Sequence, residues 1–240
     1  RLNINIINHS PRTDELSMYI PTKNRWPISA CYRLWLPELL PHIKRIIHID
    51  YDCLIRGDLA EMYKLDMENL NIRGIVDPTP RRNDKYVVNN KYICSGVILM
   101  NLERMRRTNV VSKYEITLKK FSNRLQYPDQ TIINSVDIKF NDFLPLKYGI
   151  LFFSISARKY YKYIRAKNRF KIKDFNEAMN DPIIAHLIWK PFKVFVKKKF
   201  WIQWWEYAMI CCYSNEIRLK YNISRNYSRL LSQSFINEHK

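Results

Sequence analysis

Short apolar runs rich in isoleucine and valine recur at about residues 2–8, 43–49, 72–77, 92–101 and 182–188. Their length and β-branched content predict strands. The segments between them, near 26–40, 58–66, 102–123, 128–137 and 198–213, have the spacing and length of helices. Strands alternating with helices predict an α/β layer fold around a mixed, mostly parallel sheet, with ligands bound at the strand C-terminal ends. No internal repeat or low-complexity linker interrupts the pattern. The expected organisation is one α/β domain over residues 1–192 and a basic, aromatic helical extension over 193–240.

The strand predicted at 43–49 ends in Asp50-Tyr51-Asp52. Alternate residues of an extended chain share a side, so Asp50 and Asp52 can converge on one cation. Hard divalent ions such as Mg²⁺ or Mn²⁺ take carboxylate oxygens and bridge to phosphate oxygens, as a site for a nucleotide diphosphate requires. In isolation an Asp-x-Asp at a strand end is more often a solvated turn, so its surroundings decide the reading.

Composition narrows the alternatives. A chain of 240 residues with 47% hydrophobic and 14% aromatic content can bury a sizeable core. Its four glycines, Gly57, Gly74, Gly96 and Gly149, exclude a glycine-rich phosphate loop. No apolar run reaches the roughly 18–20 residues that span a bilayer, and the first residues carry no signal-peptide pattern. Five cysteines without CxxC spacing read as free thiols in a reducing compartment. Because Arg1 leads almost directly into the first strand-like run, further sequence is expected ahead of it.

The net charge of +19 is unevenly placed. Residues 158–173 hold eight Lys or Arg and no acid, interleaved with Tyr160, Tyr161, Tyr163 and Phe170; residues 193–229 repeat the theme around Phe200, Trp201, Trp204 and Trp205. Such segments suit an anionic membrane interface, where each cation contributes about 1 kcal/mol. A solvated basic face over a tryptophan-rich core helix accounts for them equally well. Single-stranded nucleic acid is a third candidate, but no nucleic-acid motif is present and none is expected to bind.

Further segments follow in a specific order: Trp26-Pro27-Ile28-Ser29-Ala30-Cys31-Tyr32-Arg33-Leu34, Asp50-Tyr51-Asp52, Gly57-Asp58-Leu59, Cys94-Ser95-Gly96 within 92–102, Tyr127-Pro128-Asp129-Gln130, Phe143-Leu144-Pro145, and Ile184-Ala185-His186 followed by Lys190-Pro191-Phe192. Together, over about residues 20–195, this series resembles glycosyltransferase family 8, in the style of bacterial lipopolysaccharide or capsule sugar transferases. The resemblance implies a GT-A fold, a UDP-glucose or UDP-galactose donor, Mn²⁺ or Mg²⁺, and transfer with retention of anomeric configuration. Asp50, Asp52 and His186 would ligate the metal. The donor would be held by Arg33, Asp50, Tyr51, Asp52, Cys94, Ser95, Gly96, Asp129, Gln130 and Lys190, with Asp129 on sugar hydroxyls and Gln130 at the β-face. Lys190 would neutralise the leaving diphosphate, a contribution larger in the transition state than in the ground state. Gln is a poor nucleophile, so a front-face mechanism is implied rather than the covalent intermediate of retaining glycosidases.

The chain departs from the family pattern at four places. Cys94 stands where an Asn is usual, Thr131 replaces a common Asp, and the His186-to-Lys190 spacing is two residues short and lacks a glycine. The family's first strand, which carries much of the uracil and ribose contact, precedes the equivalent of Leu2. Two classes of function follow. One is an active hexosyltransferase with a saccharide or glycolipid acceptor, cytoplasmic or peripheral on the inner membrane face, in lipopolysaccharide or other surface glycan synthesis. The other is a catalytically silent or truncated member acting as a binding or assembly protein.

Overall fold

The structure is a computed structural model that describes residues 28–77, 92–121, 127–151, 162, 170–187, 198–210 and 215–216. The strands predicted at 43–49, 72–77, 92–101 and 182–188 correspond to β1 (Ile46–Ile49), β3 (Ile72–Val76), β4 (Ile93–Met100) and β7 (Ile184–His186). Three short strands escaped the sequence pattern: β2 (Cys53–Ile55), β5 (Asn141–Phe143) and β6 (Ile150–Leu151). At two or three residues each, they are too short to show a hydrophobic period. The run at 2–8 lies outside the described residues.

One sheet has the order β1-β4-β3-β5 and a second the order β2-β7-β6. The mixed character is as expected, but among the described residues the parallel majority is not found. β4 runs antiparallel to both β1 and β3, and β2 runs antiparallel to β7; only β3 with β5 and β6 with β7 are parallel. The alternation argument takes each connection as a crossover returning the chain in the same direction. Here the turn at 50–52 carries the chain from one sheet directly into the other.

All eight residues of β4 are buried, as a strand covered on both faces requires. Ile98 and Met100 enter one apolar cluster with Ile72, Tyr114, Leu118, Ile132 and Ile133. Val97 and Leu99 enter a second with Met62, Met67, Leu144 and Tyr148. Each fully buried aliphatic side chain of this size contributes about 1.5–3 kcal/mol.

The helices fill in around this strand. The segment expected as one helix at 26–40 is a 3-10 helix, Ile28–Leu34, followed by α1, Leu36–Leu39. Pro37 in the first turn of α1 has no N–H to continue an α-ladder, and Trp35 bonds instead to Tyr32 three residues back. Only α2 (Ala60–Tyr63) forms within 58–66. The 102–123 helix divides into α3 (Leu102–Arg107) and α4 (Val110–Phe121), because Asn109 turns left-handed at φ 49°. α5 (Pro128–Val136) matches its prediction, with Pro and Asp in the first turn. α6 (Ile172–Asn180) was not predicted; it buries Phe175 and Ala178, one helical turn apart.

α7 (Lys198–Ile210) packs onto this body through Phe200, which is fully buried beneath the Arg56 guanidinium. Arg56 also donates to Gln203 Oε1 and the Pro182 carbonyl, each at 2.9 Å. Among the described residues no helix is long and apolar enough to cross a membrane. The boundary at 192/193, most of the basic segment 158–173 and residues 217–240 lie outside the described residues.

Candidate active site

The site is built on the half of β4 that extends past β1. β1 pairs with Val97–Met100 and stops, while β4 continues back to Ile93. On the other edge, the register with β3 jumps from Gly74↔Ile98 to Ile75↔Cys94, which leaves Ser95, Gly96 and Val97 without partners on β3. Such a bulge re-aims backbone and side chains locally. Side chains from two other elements then take up backbone groups of this half of β4.

Arg33, from the 3-10 helix, donates through Nη1 to the Ser95 carbonyl. The Ser95 N–H donates to Gln130 Oε1 at 3.2 Å, and the Ser95 hydroxyl donates to Asp129 Oδ2 at 2.8 Å. Asn134, one turn further along α5, accepts from the Ile93 N–H and donates to the Ile93 carbonyl, both at 2.8 Å. It also donates to the Gln130 carbonyl. These bonds lay the first turn of α5 against β4 and fix where Asp129 and Gln130 point.

Arg33 ties the two acidic segments together. Its Nη2 meets Asp50 Oδ1 at 2.7 Å and its Nε lies 3.3 Å from Asp129 Oδ2. Burial works against the charged guanidinium, but the two carboxylates outweigh it and hold the group more firmly protonated than usual. The Asp50 N–H donates to the Gly96 carbonyl at 2.7 Å, anchoring the first carboxylate beside the bulge.

Asp52 and His186 form the other half. β2 pairs with β7 so that Cys53 faces His186, and Asp52 Oδ1 lies 3.1 Å from His186 Nε2. Burial favours the neutral ring, yet Asp52 and then Cys94 overcome it and push His186 up to about 10. Burial likewise opposes the Asp52 charge, and the bond to His186 overrides it, holding the carboxyl below its ordinary value.

Gly96 explains how these groups fit in one place. A Cβ there would lie 2.7 Å from Asp50 Oδ2 and 2.9 Å from His186 Nδ1, and closer still to the ring carbon Cε1. The carboxylate and the imidazole therefore converge over a residue that must lack a side chain. Two carboxylates and an imidazole form a ligand set suited to Mn²⁺ or Mg²⁺, and the cradle at Gly96 gives the donors room. Asp52 and His186 fit such an ion; among the described residues the donor atoms within 4.8 Å of one another are theirs and that of Cys53, while Asp50 reaches the same imidazole from across Gly96 and is also held by Arg33.

Asp50, Asp52, Arg33, Ser95, Gly96, Asp129, Gln130 and His186 are thus brought into one continuous network. Cys94 joins it, with its sulfur 3.9 Å from His186 Nδ1 and accepting from the Gly96 N–H. Tyr51 does not; it stands 93% exposed in the turn between the two acids. Lys190 lies outside the described residues. Sequence reasoning missed Asp77, a buried acid whose Oδ2 accepts from Gln130 Nε2 at 2.9 Å. The signal was available, since Asp77 closes an apolar run as Asp50 does. Nothing in the sequence pointed to Asn134.

Two solved structures share this arrangement of elements. They are the apo WbbM bifunctional glycosyltransferase (TM-score 0.63, 20% identity, covering 82% of this chain and 38% of that one) and the galactosyltransferase LgtC in complex with donor and acceptor sugar analogs (TM-score 0.62, 19% identity, 81% and 71%). The class this fold defines is that of the GT-A glycosyltransferases.

The sequence model of glycosyl transferase family 8 matches residues 3–193, and the chain belongs to that family. Among its relatives, lipopolysaccharide 1,2-glucosyltransferase of Escherichia coli is 26% identical over 142 residues, which cover 55% of this chain and 42% of the relative. General stress protein A of Bacillus subtilis is 29% identical over 90 residues, covering 35% and 32%. The chain spans less than half the length of these relatives.

Proposed function

We propose that this chain transfers glucose or galactose from a UDP-sugar to a saccharide acceptor with retention at the anomeric carbon, in lipopolysaccharide or other surface glycan synthesis. The observation that carries the reading is the convergence over Gly96: Asp50 and His186 meet there, Asp52 bonds the same imidazole, and Arg33 links Asp50 to Asp129. A nucleotide-diphosphate donor needs a cation site beside a sugar site, and β4 carries both on one short segment.

Asp50, Asp52 and His186 would hold Mn²⁺ or Mg²⁺. When bound, the ion supplies positive charge against the diphosphate oxygens. Asp129 keeps Oδ2 on Ser95 and Arg33, and its other oxygen would accept from a sugar hydroxyl. Gln130 is clamped between Asp77 and the Ser95 N–H, so its amide presents a fixed dipole at the sugar rather than a nucleophile. Retention is what the family resemblance implies, and with an amide in place of a nucleophile it would proceed by front-face transfer rather than through a covalent intermediate. Tyr51 would contribute from the solvent side of the donor, and Lys190 would neutralise the departing diphosphate. The basic, aromatic segments at 158–173 and 193–229 would dock the protein on an anionic membrane surface, its acceptor being a glycolipid there.

Asp52→Asn removes one ligand charge at nearly constant volume. It is expected to abolish Mn²⁺-dependent UDP binding in titration calorimetry while the folded circular-dichroism spectrum is kept; retained Mn²⁺-dependent affinity would sink the metal assignment. Hydrolysis of UDP-glucose against UDP-galactose, read by mass spectrometry, tests the sugar. One observation favours a second reading, a silent family member: the Cys94 thiol rests against His186 where an amide would contact the donor. Tight UDP-sugar binding with neither hydrolysis nor transfer would select it.

A further inference from the structure

The chemistry proposed above leaves two thiols unused. Cys53 opens β2 directly after Asp52, and its sulfur, an Asp52 oxygen and a His186 nitrogen all lie within 4.8 Å of one another. Cys94 lies against Nδ1 of the same ring. Both cysteines are free and belong to the second apolar cluster. A sulfur, an imidazole and a carboxylate form a softer donor set than two carboxylates and an imidazole.

We propose that Asp52, Cys53 and His186 form a binding site for a thiophilic divalent cation, zinc foremost. The site overlaps the Asp50, Asp52 and His186 set, so zinc and manganese exclude each other. Zinc accepts mixed sulfur, nitrogen and oxygen ligands in a tetrahedron, whereas manganese favours oxygen, and zinc binds a given site more tightly in the divalent series. With Zn–S near 2.3 Å and Zn–N near 2.0 Å, donors around one ion sit roughly 3.5 Å apart, so side-chain adjustments of about 1 Å bring this set to bonding distance. On binding, Cys53 gives its thiol proton to solvent and becomes the thiolate ligand. Because Asp52 and His186 cannot serve two ions at once, zinc would displace the ion that serves the donor. The exclusion rests on the function proposed above; the thiol site itself does not.

The test uses the whole chain and cobalt as a visible stand-in for zinc. Co²⁺ titration is expected to raise a near-ultraviolet thiolate-to-metal band that saturates at one equivalent and is erased by Zn²⁺. Cys53→Ser should bind Co²⁺ at least tenfold more weakly and lose that band. Mn²⁺, followed by paramagnetic resonance of the free ion, should bind wild type and Cys53→Ser alike, and expelling it should take at least tenfold less Zn²⁺ from wild type than from Cys53→Ser. Peptide mapping adds a measurement that needs no variant: zinc should protect Cys53 from alkylation. No thiolate band, a band that persists in Cys53→Ser, or Cys53 alkylation indifferent to zinc would each overturn the proposal. Mn²⁺ binding without a thiolate band leaves the donor reading standing and removes this one. A thiolate band without Mn²⁺ binding does the reverse.

Discussion

Asp129 stands in the first turn of α5 and Asp137 caps its last, and both are nearly closed to water, at 7% and 1% exposure. Asp129 has a cation, Arg33, at 3.3 Å and a hydroxyl donor in Ser95, and it sits where the helix dipole favours negative charge. Asp137 receives hydrogen bonds from Tyr114 and Asn71, both neutral, at the end where the dipole opposes its charge. Burial pushes Asp137 up to about 6, although its donors and the more distant Lys113 and Arg104 pull the other way. The two ends of one helix thus separate two uses of a buried acid. An acid poised for a ligand is given a full counter-charge, while an acid that pins α4 to α5 and β3 is left with dipoles.

The sharpest way to break the contrast is to remove the cation. Arg33→Met leaves buried Asp129 and half-buried Asp50 without their shared partner, and breaking a buried pair costs about 3–5 kcal/mol. A correspondingly lower denaturant midpoint, together with lost donor turnover, is expected; wild-type stability would mean that the ion pair holds nothing.

Swapping each acid for its amide comes next. Asp129→Asn should lower sugar transfer by about a hundredfold or more, as loss of one polar contact at a reacting sugar does. Asp137→Asn should leave transfer intact and change how stability depends on pH. A carboxyl raised from 3.8 to about 6 binds its proton more tightly when folded. Its contribution is therefore fully present below pH 3.8 and lost as pH rises through about 6. Between those values wild type should lose about 3 kcal/mol relative to Asp137→Asn, at about 1.4 kcal/mol per pH unit. Urea melts at a series of pH values measure it, and parallel curves for the two proteins would contradict the assignment.

The smallest effect is expected from Tyr114→Phe, which removes one donor to Asp137. A loss of about 1–2 kcal/mol, with the Asp137 transition moved to higher pH and turnover intact, would sharpen the distinction between the two ends. A drop in turnover would couple them.

What was legible in the sequence divides along the same lines. Asp129 with Gln130 could be read because Pro and Asp mark a helix start. Asp50 and Asp52 were marked by the end of an apolar run, but a turn rather than an extended strand holds them, and it sends Asp50 to Arg33 and Asp52 to His186. The long apolar runs located the major strands because strand geometry is regular. The bulge at Ser95–Val97 could not be read, because its cause is the ending of β1, a tertiary event. Cys53 and Asn134 act through elements distant in sequence, so no local period announces them; Asp77 was marked by the end of an apolar run and only its partner Gln130 was not. The division of 102–123 into two helices turned on Asn109, a residue compatible with a left-handed turn but not diagnostic of one.

Asn134 holds both backbone groups of Ile93 with a single amide. The Ile93 N–H is therefore locked by a side chain, and it can exchange its hydrogen with solvent only when α5 lifts away from the sheet. Its exchange rate is a clock for the opening of the whole wall that carries Asp129 and Gln130, readable in the protein as it stands, with no added ligand in the tube.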